Sequence, residues 1–143
     1  MADEPGARRP QPRGENARSD ARERALTILY EAHSKQISPS SALDSLVLRP
    51  DEFTSRLVHG VEVHRTRFDD LIREHAKNWT IERMPVLDVS ILRLAMFELA
   101  EEPETPVAVI INEAVELAKR FSTDDSGKFV NGMLSAVAPH LRG

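Results

Sequence analysis

The chain has 143 residues, of which 41% are hydrophobic and 29% are charged, a balance typical of one globular domain rather than of a disordered chain. It contains no cysteine, which excludes disulfides, thiolate metal sites and cysteine nucleophiles. No run of about 18 apolar residues could span a membrane, and the N-terminal arginines precede no apolar signal segment, so a cytoplasmic protein is expected.

The net charge of −4 is distributed unevenly. Residues 8–24 carry six basic side chains against three acidic ones, whereas residues 25–143 carry 13 basic and 18 acidic ones. The first 17 residues also contain three prolines and two glycines, which predicts a disordered basic arm over residues 1–17 and one domain over 18–143. A basic arm on an acidic body favours a local contact with a polyanion, although a solubilising tail would have the same composition.

The first predicted helix starts at Ser19-Asp20, where Asp20 and Glu23 resemble a capping box, and it ends near Ser34. Its buried side is formed by apolar residues at helical spacing: Ala21, Ala25, Ile28, Leu29 and Ala32. A turn at SPSS (38–41) is expected before a short second helix. The apolar residues of this short helix are Leu43, Leu46 and Val47.

A long helical pattern opens at Pro50-Asp51 and continues to Trp79. Its apolar residues are Phe53, Leu57, Val58, Val61, Phe68, Leu71, Ile72 and Trp79. Gly60 lies inside the pattern, where glycine costs up to ~1 kcal/mol relative to alanine. We therefore expect another helix to approach closely at Gly60.

Three more helices are predicted in the second half of the chain. Thr80 can cap a short turn, and Pro85 suits the first position of the next helix. The apolar side of that helix is Leu87, Ile91, Leu94, Ala95 and Phe97. After the loop at 101–106, helices are expected over 107–121 and over 128–137, with Pro139 ending the last one. No segment alternates as a strand would, so the predicted fold is all-α, one bundle of about six or seven helices.

Catalytic and metal sites are not indicated. His59 and Glu62 share a helix face but have no evident third ligand. The adjacent carboxylates at 69–70 and 124–125 are of a kind that is usually solvated. Residues 126–128 (SGK) lack the upstream glycine of a phosphate-binding loop. Neither an enzyme nor a cofactor is therefore expected.

The segment KFVNG (128–132) is a candidate RNA site in a chain with only seven aromatic side chains. Lys128 and Phe129 would fall in the first turn of the last helix, where free amides and the helix dipole favour an anion. An aromatic face beside a cation suits an unstacked base and its phosphate. A lone phenylalanine next to an apolar stripe is more often part of a core, so the residues alone leave both interpretations open.

Three segments resemble the NusB family of bacterial transcription antitermination factors. They are ARERALTILYEA (21–32), ERMPVLDVSILRLAMFEL (82–99) and TPVAVIINEAVELAKRFSTDDSGKFVNGMLSAVAP (105–139). The resemblance extends from about residue 18 to 140. Its most specific parts are the INEAVELAK helix, the junction of DDS with KFVNG, and ILRLAMFEL.

The resemblance implies two three-helix subdomains and a non-enzymatic factor that binds the boxA element of nascent single-stranded RNA. The partners it implies are NusE, a ribosomal protein, and the RNA polymerase complex that transcribes ribosomal RNA operons; a monomer and a weak homodimer are both compatible with it. The family's RNA-binding positions fall on Arg18, Arg22, Arg24, Asp125, Lys128 and Phe129. Its NusE-contact positions fall on Tyr30 and Asp88. The chain departs from the arginine-dense first motif at Ser19-Asp20, for which Arg8, Arg9 and Arg13 could compensate.

Two alternatives stay open. The same fold occurs as the RNA-binding domain of ribosomal RNA cytosine methyltransferases, which add a catalytic domain with a cysteine nucleophile; this chain has neither the length nor the cysteine. A helical adaptor that does not bind RNA belongs to a different class. Salt-dependent RNA binding would distinguish it, because phosphate contacts release counterions.

Overall fold

The computed structural model describes residues 14–142, and all regular structure in that part of the chain is helical. The helices are α1 (Gly14–Lys35), α2 (Pro39–Asp44), α3 (Glu52–His75), α4 (Val86–Glu101), α5 (Val107–Phe121) and α6 (Asp124–Leu141), with one 3₁₀ turn at Ile81–Arg83. The all-α fold predicted from apolar periodicity is confirmed.

The central helix is α4, which is apolar and buried on nearly every side, as expected for a helix surrounded by other helices. Helices α1, α2 and α3 pack against one another, and α5 and α6 pack against each other and against α4. Because α4 also contacts α1 and α3, one continuous hydrophobic core joins the two groups of three helices.

Side-chain caps fix where three of the helices begin. Ser38, Asp51 and Thr123 precede α2, α3 and α6, and each accepts a hydrogen bond from the backbone N–H three residues later. Such a cap satisfies one of the free N–H groups of the first turn and contributes ~1 kcal/mol.

Gly60 lies where α4 packs closely against α3, as the sequence predicts. It is buried, and a Cβ atom at this position would overlap the ring of Phe97 on α4. The absence of a side chain therefore allows the aromatic ring to pack directly on the backbone of α3.

Hydrogen-bonded ion pairs also connect the helices to α4. Asp69 of α3 accepts two hydrogen bonds from Arg93 of α4, at 2.8 and 2.9 Å. A different contact holds the C-terminal end of α4, where the guanidinium of Arg142 donates to the backbone carbonyls of Glu98, Leu99 and Glu102. The Glu98 and Glu102 carbonyls also accept backbone hydrogen bonds, from the N–H groups of Glu102 and Thr105 at 2.9 and 3.0 Å, so Arg142 supplies additional donors at the C-terminal end of α4.

Helix α1 begins earlier than expected. It starts at Gly14, so residues 14–17 are helical, and Asp20 and Glu23 lie inside the helix instead of forming its capping box. Contacts distant in sequence hold this first part in place: the Ser19 hydroxyl donates to Glu113 of α5 at 2.7 Å. Residues 1–13 of the expected arm lie outside the described residues, and their disorder stays a prediction.

The short helix α2 also differs from its prediction. The SPSS segment is the start of the helix and not a turn before it, because Ser38 is the cap and Pro39 is the first helical residue. The helix ends at Asp44, so Leu46 and Val47 follow it, and Val47 is 98% exposed.

The start of α6 and the end of α3 are further corrections. The polar STDDSG segment contains the cap and first turn of α6, since Thr123 caps the helix and acidic residues at 124–125 are favourable beside its positive end. Pro139 lies inside the last turn, and α6 continues to Leu141.

Helix α3 ends at His75, which leaves Trp79 in the following loop. Pro85 occupies the position just before α4 rather than its first helical position.

Candidate nucleic-acid and partner sites

The first two turns of α6 present three of the predicted site residues together. Lys128 and Phe129 lie in the second turn and not in the first, because α6 begins at Asp124, so they are beyond the free amides of the helix start. Asp125 and Lys128 are exposed, and Phe129 is partly exposed. The Phe129 ring packs against the edge of the hydrophobic core, so it is neither a fully buried core residue nor a free surface ring.

Trp79 also belongs to this site, although the sequence pattern assigns it only to the apolar side of the long helix. Its ring meets that of Phe129 edge to face, with 4.9 Å between the centroids and 73° between the planes. Trp79 is 36% exposed. Asn78, just before it, has a φ of 64°, a left-handed conformation that asparagine tolerates better than most residues, and this redirects the chain after α3.

Trp79 and Phe129 lie in an open groove of about 360 Å³ between the end of α3, with the loop that follows it, and the middle of α6. The residues that line the groove are His75, Ala76, Lys77, Trp79, Lys128, Phe129, Gly132, Met133 and Ala136. Lys77 and Lys128 are both exposed and supply positive charge on the two walls. Gly132 has no side chain, so the α6 wall of the groove is low at this position. The space above it is open, because a Cβ atom there would have no described atom within 4 Å.

A pair of aromatic faces with flanking lysines can bind single-stranded nucleic acid. Each base stacked on an aromatic side chain contributes roughly 1–3 kcal/mol, and each lysine can neutralise one phosphate. Asp125 is exposed in the preceding turn of α6 and would repel a phosphate, so its chemistry suits a hydrogen bond to a base or a sugar hydroxyl.

The three arginines of α1 are placed differently from one another. Arg22 is 2% exposed, and its guanidinium makes two hydrogen bonds to the Glu98 carboxylate, at 2.7 and 2.8 Å. It also contacts Glu113 at 3.2 Å. This geometry favours a structural role for Arg22, in which one buried cation joins α1 to α4 and α5.

Arg18 and Arg24 retain exposure. The Arg18 side chain is 31% exposed, donates to the Thr105 hydroxyl at 3.3 Å and lies over the Phe53 ring, 4.4 Å from its centroid. Arg24 is exposed and lies 3.6 Å from the carboxylate of Asp51. Of the three arginines, these two can still contact a polyanion.

The pKa of Asp51 is lowered by its surroundings. Burial opposes ionisation of this carboxyl group, but hydrogen bonds from the Thr54 side chain and backbone and the nearby Arg24 charge outweigh it. The cap of α3 is therefore ionised at neutral pH and holds Arg24 beside it.

The arginine group and the aromatic groove are separate. Arg22 binds α4 at Glu98, whereas the first turn of α6 binds α4 at Asp88. Ten residues of helix correspond to about 15 Å along the axis. A ligand that contacts both groups would have to extend along this length of the molecule.

Tyr30 and Asp88 do not form one exposed surface. Tyr30 is 47% exposed on α1, where a partner can reach it. Asp88 is 1% exposed in the first turn of α4 and accepts a hydrogen bond from the Ser126 hydroxyl at 2.8 Å.

The His59–Glu62 pair takes part in a local structural contact. Glu62 accepts hydrogen bonds from the backbone and the hydroxyl of Ser40, at 2.8 and 2.7 Å, and the same hydroxyl lies 3.2 Å from His59 Nδ1. This fastens the start of α2 to α3. Within residues 14–142, no three histidine or acidic side chains are grouped as metal ligands, and no helix is long and apolar enough to cross a bilayer.

The arrangement of the six described α-helices, with α4 at the centre, matches proteins of one class. The family model described as the NusB family matches residues 19–139. The transcription antitermination protein NusB of Streptomyces griseus is 49% identical over 138 residues, covering 88% of this chain and 96% of that protein. The protein of the same name from Saccharopolyspora erythraea is 46% identical over 128 residues, covering 85% of this chain and 86% of that protein.

Solved structures agree with the sequence relatives. T. maritima NusB superposes with a TM-score of 0.81 at 31% identity, covering 88% of this chain and 93% of that chain. A chain in the crystal structure of the antitermination factors NusB and NusE in complex with double-stranded RNA superposes with a TM-score of 0.73 at 25% identity, covering 86% and 96%. The chain belongs to the NusB family. Its relatives are transcription antitermination factors and not enzymes, in agreement with the sequence prediction.

Proposed function

We propose that this antitermination factor binds boxA-like single-stranded RNA together with NusE in the cytoplasm. In this role it would act within the transcribing RNA polymerase complex and support processive transcription of ribosomal RNA operons. The related complex of NusB and NusE with double-stranded RNA supports RNA and NusE as partners, and the preference for a single strand rests on the groove.

The observation that carries the proposal is the groove in which Trp79 and Phe129 meet between Lys77 and Lys128. Paired bases in a duplex hide their faces in the stack, whereas unpaired bases can leave it and stack on an aromatic ring. The groove therefore suits single-stranded RNA better than a duplex.

The assignment of RNA-contacting residues follows their exposure. Lys128, Phe129 and Asp125 would contact RNA in the groove, with Trp79 and Lys77 added to the positions implied by the resemblance. Arg18 and Arg24 would contact phosphates outside the groove. Arg22 would support them by holding α1 in place, since its guanidinium is already bound to Glu98 and Glu113. Tyr30 would contribute to the NusE surface.

A titration of boxA RNA and a scrambled RNA of the same length, with and without NusE, tests the proposal. We expect tighter binding of boxA than of the scrambled RNA, and a further gain when NusE is present. The Lys128→Ala variant should reduce the slope of log affinity against log salt by about one unit, because one phosphate contact is lost.

Lys35→Ala is the matched control for this slope. Lys35 is exposed at the end of α1 and pairs with Glu31, outside the groove, so its removal should leave the slope unchanged. Equal affinity for both RNAs would reject boxA recognition, and no measurable RNA binding would favour the helical adaptor. The buried position of Arg22 is the observation that favours that second candidate.

A further inference from the structure

Asp88 is a buried carboxylate with an unusual hydrogen-bonding environment. Its Oδ2 accepts a hydrogen bond from the Ser126 hydroxyl at 2.8 Å. Its Oδ1 is also buried but accepts no hydrogen bond from any residue in the described part of the chain. A buried acceptor without a partner costs free energy, so a native protein keeps such a group for a specific role. The hydrogen bond that the other oxygen of Asp88 accepts from Ser126 indicates what this role is.

The partner of Asp88 belongs to the cap of α6. The Ser126 backbone N–H donates to Thr123 Oγ1 at 3.0 Å, and the Ser126 hydroxyl lies 2.9 Å from the hydroxyl of Ser122 and 3.0 Å from that of Thr123. A hydroxyl has only one proton to donate. Since Ser126 donates it to Asp88, the other two hydroxyls must donate to Ser126, and the carboxylate orients the whole cluster.

The first turn of α6 is also held from a second side. Gly127 is buried against α5, and a Cβ there would lie 3.1 Å from Cγ of Lys119. Lys128 and Phe129 follow directly. The contacts of Ser126 with α4 and of Gly127 with α5 therefore determine where the α6 wall of the groove lies.

We infer that Asp88 is a positioning residue for RNA binding. Through Ser126, it holds the first turn of α6 so that Lys128 and Phe129 of the next turn can face the groove. Its burial keeps it from contacting NusE or RNA directly, which differs from the direct partner contact that the family resemblance implies. The inference rests on the proposed RNA-binding function of the groove.

A double-mutant cycle of Asp88→Ala and Ser126→Ala tests the inference, at a temperature where circular dichroism shows every variant to be folded. Each single change should weaken boxA binding roughly 2- to 10-fold, the effect of one lost hydrogen bond. The double variant should bind no more weakly than the weaker single variant, because both changes remove the same bond. Amide exchange across residues 124–129 should be faster in all three variants.

Asp69→Ala is the matched control, since Asp69 is another buried carboxylate that joins a neighbouring helix to α4. It should lower stability while leaving RNA affinity and amide exchange at residues 124–129 unchanged. Asp88→Asn keeps an acceptor for Ser126, so its RNA affinity and exchange should stay close to those of the wild type even if Asp88→Ala does not fold.

Three outcomes would overturn the inference. Additive losses of RNA affinity in the double variant would show that the two residues act independently. A loss of NusE affinity in Asp88→Ala, without one in Ser126→Ala, would assign Asp88 a direct partner contact. Unchanged amide exchange at residues 124–129 in Asp88→Ala would also reject it, and this measurement does not involve RNA. By contrast, normal boxA binding by Phe129→Ala would reject the proposed groove function and not this hydrogen bond.

Discussion

Arg22 combines a full positive charge with almost complete burial, and this is tolerated because its guanidinium faces two carboxylates. The resemblance places it among RNA-contacting residues. In the folded chain, contact with a phosphate would require Arg22 to leave Glu98, which is itself 2% exposed. Removal of one member of such a pair leaves the other charge buried and unpaired.

We expect Arg22→Ala to lower the free energy of unfolding by about 3–5 kcal/mol, since Glu98 would lose its main partner. Arg24→Ala should cost less than about 1 kcal/mol, because Arg24 is exposed and its contact with Asp51 is screened by solvent. Urea denaturation of both variants measures the difference. Equal and small effects would contradict the structural role of Arg22.

At the scale of the element, the two helix glycines at positions 60 and 132 face opposite environments. Gly60→Ala should destabilise the protein by about 1–3 kcal/mol, because the new methyl group would overlap the Phe97 ring. Gly132→Ala should stabilise it by up to ~1 kcal/mol, because the position is open and alanine favours a helix. Thermal melts of the pair provide the comparison, and a stabilising Gly60→Ala would show that α3 and α4 are not in close contact there.

The cap of α3 should make a pH-dependent contribution to stability. Because the pKa of Asp51 in the folded state is below its ordinary value of 3.8, the contribution is complete above that value and is lost as the pH falls through the folded pKa. Asp51→Ala should cost ~1 kcal/mol at pH 7, the typical effect of an N-cap. The difference from the wild type should shrink below about pH 4. A difference that grows with acidity would contradict this assignment.

Local patterns in the sequence predict the helices but not all of their boundaries. The approach of a helix at Gly60 follows from the cost of glycine in an apolar stripe. The start of α6 does not follow, because Thr123 and the two aspartates read as a loop until their capping geometry is known. Trp79 continues the apolar spacing of α3, although the helix has already ended at His75.

The site is predictable to the extent that its residues are close in sequence. Lys128 and Phe129 share one turn, so the sequence alone brings them together. The Trp79 ring comes from a different helix end, and the pairing of Arg22 with Glu98 depends on two helices that are distant in the chain. Such contacts depend on tertiary packing, which periodicity does not specify.

At the scale of the whole molecule, α4 connects the two ends of the proposed binding surface. Its first turn holds α6 through Asp88, and its last turns hold α1 and the C-terminal Arg142. The length of α4 thus separates Arg18 and Arg24 of α1 from the aromatic groove. The groove brings two aromatic rings and two lysines together on one open surface, and the proposed RNA binding depends on it.

The most direct test of that claim is a boxA titration of Phe129→Ala and Trp79→Ala, with a denaturant melt of each. Both should lose roughly 1–3 kcal/mol of RNA binding, the scale of one base stacked on an aromatic ring. Phe121→Ala is the matched control, because Phe121 is exposed beside Arg120 at the end of α5 and does not line the groove. Its RNA affinity should equal that of the wild type. Folded Phe129→Ala and Trp79→Ala proteins that melt earlier but bind boxA normally would assign both rings to the core and contradict the account.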